Sequence, residues 1–148
     1  MFMEANWSNK IEIGISATTA DPPVWTYATL CGGVEGMEFN ENEQNQQFFF
    51  LCGEGFAENV VTGAAPELVI TGRRIVGNAA QDYISGLQMK LGDERRSSVK
   101  ITTGGKLITC DCSIGAITSF GGQALDVNSF GCTIRFCGKP SVTTAPAQ

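Results

Sequence analysis

Residues 68–84 read LVITGRRIVGNAAQDYI, and this passage joins a strand to the one clear helix of the chain. Its first four residues are apolar or β-branched, which predicts a strand. Asn78 can then cap a helix by accepting a hydrogen bond from a backbone N–H of the first turn, and Gln81 completes a capping-box spacing. We therefore expect a helix that begins after Asn78 and ends near Gly86.

The predicted helix is amphipathic. Its larger apolar residues recur at i, i+3, i+4 and i+7, a spacing that places them on one helical face. We expect that face to pack on the core of a sheet, and its members are Ala80, Tyr83, Ile84 and Leu87.

The rest of the chain favours strands. Its 18 glycines and frequent Val, Ile, Thr and Phe are typical of strands joined by turns. Gly104-Gly105 between two extended runs predicts a hairpin. The fold class is therefore mainly β with one short helix. The predicted strands cover residues 11–16, 25–27, 34–39, 48–52, 59–62, 68–71, 99–103, 106–117 and 127–136.

Two neighbouring segments of the first half contrast in polarity. Residues 40–47 are polar and without periodicity, which predicts a loop between strands. Residues 48–52 read FFFLC, a continuous apolar run that predicts a strand buried on both sides. We expect Phe48, Phe49 and Phe50 to pack in the core, because aromatic side chains dominate cores.

The length fits one domain, which we place at residues 1–138. We expect residues 139–148 to form a flexible C-terminal tail, since Pro140 and Pro146 stand there among Ser, Thr and Ala.

Charge is divided along the chain. Ten acids and one base precede residue 71, whereas five acids and nine bases follow it, and the formal net charge is −5. The halves therefore carry −9 and +4. A subunit that binds copies of itself head to tail can use such polarity, because opposite potentials fix the register of a contact.

The six cysteines are interpreted as reduced, mostly buried thiols. The N-terminus lacks a basic region followed by an apolar stretch, so we expect no secretory signal and a reducing compartment. Cys110 and Cys112 are two positions apart and share a face of their strand. Disulfides or a metal remain as alternatives, although no CxxC pair and no histidine are present.

The sequence contains few residues that are candidates for catalysis or metal binding. Histidine, the commonest general base at neutral pH, is absent. The acidic pairs Glu41 with Glu43 and Asp93 with Glu94 are interpreted as solvated loop charges. The net acidic chain also lacks the basic surface that nucleic-acid binding needs. We therefore expect no enzymatic activity, no catalytic residue, no cofactor and no metal.

A resemblance to a known family covers most of residues 11–140. It is carried by FFFLCGEGFAENVVTG at residues 48–63, by LVITGRRI at residues 68–75 and by GNAAQDYI at residues 77–84. The later passage GGQALDV at residues 121–127 leads into a final strand. This order of a strand, a Gly-Arg-Arg-Ile exit and a short helix resembles the tail tube (major tail) proteins of long-tailed bacteriophages.

The resemblance implies a β-sandwich or barrel-like subunit with one flanking helix. It also implies that six copies form a ring and that rings stack head to tail into a hollow tube for DNA. The implied partners are the chain itself, other tail proteins at the tube ends, and the tape-measure protein and phage DNA in the lumen. The implied location is the virion tail, assembled in the host bacterial cytoplasm.

Two hypotheses concern the charged residues of such a tube. In the first, acids line the lumen or its rim and let DNA slide, because a basic lumen would bind it. In the second, the polar segment at residues 40–47 meets bases of the next ring. The candidate acids are Glu35, Glu38, Glu41 and Glu43, and the candidate bases are Arg73, Arg74, Arg95 and Arg96. Under either hypothesis, one of Phe48, Phe49 and Phe50 could instead contact the neighbouring subunit.

Rival functions remain open. A β-sandwich that decorates a capsid, or binds carbohydrate on a fibre, would display exposed aromatic rings, for which Trp7, Trp25 and Tyr27 are the candidates. The tube of a type VI secretion system and a secreted, disulfide-linked adhesin are further alternatives.

Overall fold

The computed structural model describes residues 3–145, and within this range the chain has nine strands and one α-helix. The helix α1 spans Ala79–Gly86, and 3₁₀ turns occupy Asn6–Ser8, Leu51–Gly53 and Gly92–Arg95. The strands are β1 (Lys10–Ala17), β2 (Trp25–Thr29), β3 (Val34–Asn40), β4 (Gln44–Phe49), β5 (Ala57–Gly63), β6 (Glu67–Arg73), β7 (Arg96–Thr103), β8 (Lys106–Thr118) and β9 (Ser129–Thr144).

Seven strands form one antiparallel sheet in the order β2-β1-β7-β8-β9-β6-β3. Strands β4 and β5 form a separate two-stranded sheet. We call residues 41–66, which contain β4 and β5, the arm. It is inserted between β3 and β6, which pair with each other through Asn40 and Glu67 at its base.

The seven-stranded sheet curls on itself. Strands β7 and β3 are four steps apart in the sheet, yet Met37 and Phe39 of β3 line the same cavity as Ile101 of β7. Curling lets one sheet bury its apolar face without a second sheet. The buried core is largely the inner side of this curl, and it includes Ile11, Ile13, Leu68, Ile70, Val99, Ile114, Phe130 and Ile134.

The antiparallel pairing gives the curled sheet two distinct ends. The arm end holds the arm, the start of β1 and the turn between β7 and β8. The opposite end, which we call the loop end, holds the connections at residues 18–24, 74–78, 87–95 and 119–128. The two ends therefore present different residues to any neighbouring molecule.

The predicted helix is confirmed with its cap. The Asn78 side chain accepts a hydrogen bond from the Gln81 N–H at 3.1 Å, and the helix ends at Gly86. Its apolar face is also confirmed, since Ala80, Ile84 and Leu87 are buried in the core.

The reciprocal half of the capping box is not formed, because the Gln81 side chain is used elsewhere. It is fully buried, and its Nε2 donates to the carbonyl oxygens of Gly32 and Arg73 at 2.7 and 3.0 Å. Its Oε1 accepts from the Ile75 N–H at 2.7 Å. One amide therefore ties α1 to both the β2–β3 connection and the end of β6.

The predicted hairpin at Gly104-Gly105 is confirmed. Both glycines have positive φ angles, 53° and 76°, between the paired residues Thr103 and Lys106. This is the geometry of a tight turn that non-glycine residues adopt at a cost.

The predictions for residues 40–52 are wrong. The loop is confined to residues 41–43, and residues 44–47 belong to β4. The FFFLC run is not a buried strand, because every residue from 41 to 52 is exposed. Hydrophobicity alone could not separate core from contact surface, since both favour the same side chains.

The C-terminal segment differs from the predicted tail. Strand β9 continues to Thr144, and Ser141 pairs with Thr109 of β8. Residues 138–140 lie opposite the single residue Cys110, so a bulge accommodates Gly138 and Pro140 before the pairing resumes. The part of the predicted tail at residues 146–148 lies outside the described residues.

Candidate functional site

The arm exposes a large set of apolar side chains. Its strands pair Phe48 with Glu58 and Phe49 with Ala57, so Phe48 and Phe49 point to opposite faces. The rings of Phe48 and Phe50 stack with centroids 6.2 Å apart. The exposed apolar residues of the arm are Phe48, Phe49, Phe50, Leu51, Phe56, Val60 and Val61.

The tip of the arm is the most exposed part of this set. Phe50 is 60% exposed, Phe56 is 77% exposed and Leu51 is fully exposed. Monomeric soluble proteins seldom leave such groups together in water, and contiguous exposed apolar surface marks interaction sites. The arm therefore has the composition of a protein–protein contact rather than of a solvated loop.

The arm is also acidic. It contains Glu41, Glu43, Glu54 and Glu58 and no Lys or Arg. None of these carboxylates makes an ion pair within residues 3–145. A partner surface for the arm would consequently be apolar and either neutral or basic.

The loop end is a second exposed apolar surface. Backbone and side-chain hydrogen bonds join its loops, including Arg74 N–H to Asn128 O at 2.9 Å and Ser119 Oγ to Gln88 Oε1 at 2.6 Å. These contacts hold the loops side by side. The exposed apolar residues at this end are Val24, Ile75, Val76, Met89, Leu91, Phe120, Leu125 and Val127.

The structure pairs two of the predicted site residues with each other. Arg73 Nε donates to Glu35 Oε1 at 2.9 Å, and both side chains are about half exposed. Such surface pairs contribute little to stability. Glu38 is exposed on β3, whereas Glu41 and Glu43 flank the base of the arm.

Arg74 is held within its own chain. Its Nη2 lies 2.8 Å from Asp82 Oδ1 on α1, and its Nη1 donates to the Ile75 carbonyl at 2.6 Å. The hydrogen bond from Arg74 lowers the pKa of the Asp82 carboxyl below its ordinary value, and the Gly77 N–H acts in the same direction. This pair fixes the β6–α1 loop at the loop end.

Arg95 and Arg96 also have partners in the same chain. Arg95 donates to the backbone carbonyls of Lys90 and Ile114 at 2.9 and 3.2 Å. Arg96 Nε lies 3.8 Å from Asp93 Oδ1. The predicted contact of these arginines with acids of a neighbour stays a prediction.

The aromatic residues of the rival binding function are not arranged as one platform. Trp25 packs over Gly14, where an added Cβ would lie 2.8 Å from the indole. Tyr27 is hydrogen-bonded to Ser98 at 2.9 Å, and Lys100 covers its ring at 4.2 Å. Trp7, which is exposed, lies beside β3 instead.

The cysteines divide into two classes. Cys110, Cys112 and Cys132 are buried, Cys137 is half-buried, and Cys31 and Cys52 are exposed. Burial raises the pKa values of Cys110 and Cys112 and raises the pKa of Cys132 to about 12. The buried thiols are therefore unreactive at neutral pH.

Residues 3–145 contain no group of three or more His, Cys, Asp or Glu side chains placed to hold a metal ion. Within the same range, the helices are too short or too polar to cross a bilayer.

Sequence reasoning identified Phe48, Phe49 and Phe50 as possible contact residues but missed the other exposed apolar groups. Leu51, Phe56 and Leu125 were not singled out. Phe56 follows Gly55, and Leu125 stands beside Asp126 where no periodic pattern assigns it to a core. Leu51 lies inside the FFFLC run and has no separate signal.

Comparison with known proteins gives structural matches alone. No protein-family model and no curated protein matches the sequence. A chain from the tail of an empty gene transfer agent particle, computed with helical refinement and C6 symmetry, superposes with a TM-score of 0.72 at 11% identity, covering 96% of this chain and 100% of that one. A chain from the virion of a native gene transfer agent particle gives a TM-score of 0.69 at 10% identity, with the same coverage of both chains. The predicted tail-tube fold, mainly β with one helix, is confirmed.

Proposed function

We propose that the chain is a structural protein of a virion tail that assembles into hexameric rings, stacked head to tail as a tube through which DNA leaves the particle. The tube would be built in the host cytoplasm and would meet other tail proteins at its ends. The tape-measure protein and DNA would occupy its lumen. The role is structural rather than catalytic.

The observation that carries this proposal is the exposed apolar arm. Burying a single Phe or Leu side chain contributes about 1.5–3 kcal/mol, and the arm presents seven large apolar residues. Left in water, this surface would cause aggregation, whereas contact with another copy would bury it. The arm therefore supports obligatory self-association.

The position of the arm supports a head-to-tail arrangement. It projects from one end of the curled sheet, and the second exposed apolar surface lies at the opposite end. Contacts between different surfaces of identical subunits are heterologous, and they generate closed rings or open stacks. A tube made of rings contains both kinds of contact: one closes each ring, and the other stacks one ring on the next.

The six-fold ring is proposed because of the shared fold, and the DNA conduit is proposed because of the net charge. The tail whose chain shares this fold was computed with C6 symmetry. A net charge of −5 favours a tube that DNA does not bind tightly, because each phosphate carries a negative charge. We place Glu38, Glu41 and Glu43 among the acids available for the lumen or its rim, whereas Glu35 is already paired with Arg73.

Negative-stain electron microscopy of the purified protein tests this proposal. We expect rings or tubes with a central hole, in amounts that rise with protein concentration. A uniform population of monomers at concentrations up to the solubility limit would contradict the proposal and would favour a capsid-decorating or carbohydrate-binding module.

A further inference from the structure

The arm end contains an open apolar cavity of about 250 Å³. It lies at the mouth of the curled sheet, where the inner faces of β3, β6, β7 and β8 approach each other. One wall is formed by residues before β1 rather than by the sheet. The lining includes Met37, Phe39, Leu68, Ile101, Ile108 and Asn9. A cavity of this size and composition is large enough for one apolar side chain.

The opposite end of the molecule presents a side chain of that kind. Residues 123–126 form a tight turn in which the Asp126 N–H donates to the Gln123 carbonyl at 2.9 Å. Asp126 Oδ2 accepts from the Gln123 N–H at 2.8 Å, which closes the turn from the other side. Leu125 projects from this turn and is fully exposed. The turn is thus a fixed support for an unburied leucine.

Polar and charged groups near the two features are also complementary. Asn9 Oδ1 is buried beside the cavity without a hydrogen-bond donor among residues 3–145. The N–H groups of Ala124 and Leu125 have no acceptor in that range. If the Asn9 amide gives up its 2.9 Å hydrogen bond from Nδ2 to Asn6 Oδ1 and rotates toward the cavity, its Oδ1 would accept from one of them. Lys106, on the hairpin beside the cavity, makes no ion pair there and could face Asp126.

We propose that Leu125 of one copy inserts into the arm-end cavity of the next copy along the tube. This inference rests on the proposed head-to-tail assembly and names the residues of one of its contacts. The occupant of the cavity is a second copy of this chain, because the cavity and Leu125 lie at opposite ends of the same subunit. Stacking therefore brings the Leu125 turn of each copy to the cavity of its neighbour.

The arm of the neighbour is a less suitable occupant. The cavity lies at the base of the arm, and the paired residues Phe39 and Leu68 lie side by side in one of its walls. In a head-to-tail stack, the arms of the next ring project away from this cavity. The arm would instead extend toward the loop end of the next ring, where it can contact other residues.

Disulfide cross-linking tests the contact directly. Leu125→Cys is combined with Thr103→Cys, which changes a lining residue of the cavity, in a chain where Cys31, Cys52 and Cys137 are replaced by Ser. Oxidation of assembled protein should produce a ladder of covalent oligomers on a non-reducing gel. Each single variant should give no ladder, and neither should the pair Leu125→Cys with Thr26→Cys, whose second site lies on the exposed side of β2.

The critical concentration of a variant with a charge in the Leu125 turn tests the contact independently of cross-linking. Leu125→Asp should raise the critical concentration for tube formation at least about tenfold, because it removes the burial of a leucine. Gln123→Asp in the same turn adds the same charge without removing the leucine and should have a much smaller effect. Circular dichroism checks that both variants are folded.

The outcomes separate this inference from the proposed function. If the unmodified protein forms neither rings nor tubes, the proposed function fails and the contact fails with it. If that protein forms tubes but the double-cysteine variant gives no ladder, the cavity contact is wrong while the proposed function stands. An unchanged critical concentration for Leu125→Asp would likewise overturn the contact alone.

Discussion

Gln81 Nε2 donates a 2.7 Å hydrogen bond to the carbonyl oxygen of Gly32, a residue 49 positions earlier in the chain. The same amide also bonds to Arg73 O and Ile75 N–H, and the side chain is fully buried. The β2–β3 connection, the end of β6 and the β6–α1 loop therefore depend on one side chain. A surface that must match a neighbouring subunit needs this kind of support, because loops are otherwise mobile.

We expect Gln81→Ala to lower the free energy of unfolding by about 2–4 kcal/mol, because it leaves buried backbone donors and acceptors unsatisfied. Urea denaturation followed by tryptophan fluorescence measures this loss. The matched control is Gln46→Ala on the exposed arm, which should change stability by less than about 0.5 kcal/mol. Equal effects of the two substitutions would show that the Gln81 network is not important for stability.

A second prediction concerns the ion pair between Arg74 and Asp82. The hydrogen bond from Arg74 lowers the pKa of Asp82 in the folded state below 3.8. A lowered carboxyl pKa adds stability that is present above the unfolded-state pKa and is lost as pH falls through the folded-state pKa. The stability difference between the unmodified protein and Asp82→Asn should therefore be constant near neutral pH and should shrink below about pH 4.

Urea midpoints of Asp82→Asn and Arg74→Gln, measured from neutral pH to about pH 3, check this dependence. Asp82→Asn removes the titrating carboxyl and should show the full pH dependence, whereas Arg74→Gln should show only part of it, because the Gly77 N–H still lowers the pKa of Asp82. The double variant separates the pair from the hydrogen bonds that Arg74 makes to Ile75 and Gln81. A difference that grows on acidification would contradict the assigned direction of the pKa shift.

The arm and the core should respond in opposite ways to the same substitution. Leu51 is fully exposed at the arm tip, whereas Leu68 is 2% exposed in the core. Leu51→Ser should leave the unfolding transition unchanged and abolish or strongly weaken assembly. Leu68→Ser should lower the free energy of unfolding by about 3 kcal/mol or more, as large-to-small core changes do. Unfolding curves and sedimentation velocity separate the two effects, and normal assembly of Leu51→Ser would exclude a contact role for the arm tip.

The sequence predicted the parts of the fold that depend on local patterns. The Asn78 cap, the apolar face of α1 and the Gly104-Gly105 turn need only neighbouring residues, and all three are confirmed. The FFFLC run failed because its length and hydrophobicity fit a buried strand and an intersubunit contact equally well. An apolar run in one chain does not say whether its own core or another molecule covers it.

The extent of β9 could not be predicted for a different reason. Gly138 and Pro140 are ordinary signals that a strand has ended. The long partner strand β8 supplies pairing sites beyond them, and a bulge keeps the register. Arg73 and Arg74 were recognised as charges, but their partners, Glu35 and Asp82, follow from tertiary contacts.

Thiol reactivity should distinguish the arm tip from other exposed sites. Cys31 and Cys52 are exposed, whereas Cys112 and Cys132 are buried with raised pKa values. In the dispersed protein, a maleimide should modify Cys31 and Cys52 quickly and the buried thiols slowly. In assembled tubes, Cys52 should become protected because it lies at the tip of the arm. Mass spectrometry of peptides identifies the sites, and a Cys52 that stays as reactive as in the dispersed protein would contradict burial of the tip.

The acids at the base of the arm should affect assembly through electrostatics. Glu41 and Glu43 are exposed and without ion pairs within residues 3–145, so their charges are available to a neighbour. Glu41→Lys with Glu43→Lys should raise the critical concentration for tube formation at low salt, and the difference should decrease as salt is added. The reason is that the screening length falls from about 10 Å at 0.1 M to about 3 Å at 1 M ionic strength.

The control pair, Glu41→Gln with Glu43→Gln, removes the charges without reversing them and should give an intermediate effect. Light scattering at several salt concentrations measures the series, and tubes of unchanged yield and length for the Lys variant at low salt would show that these acids face neither a basic neighbour nor another charged contact.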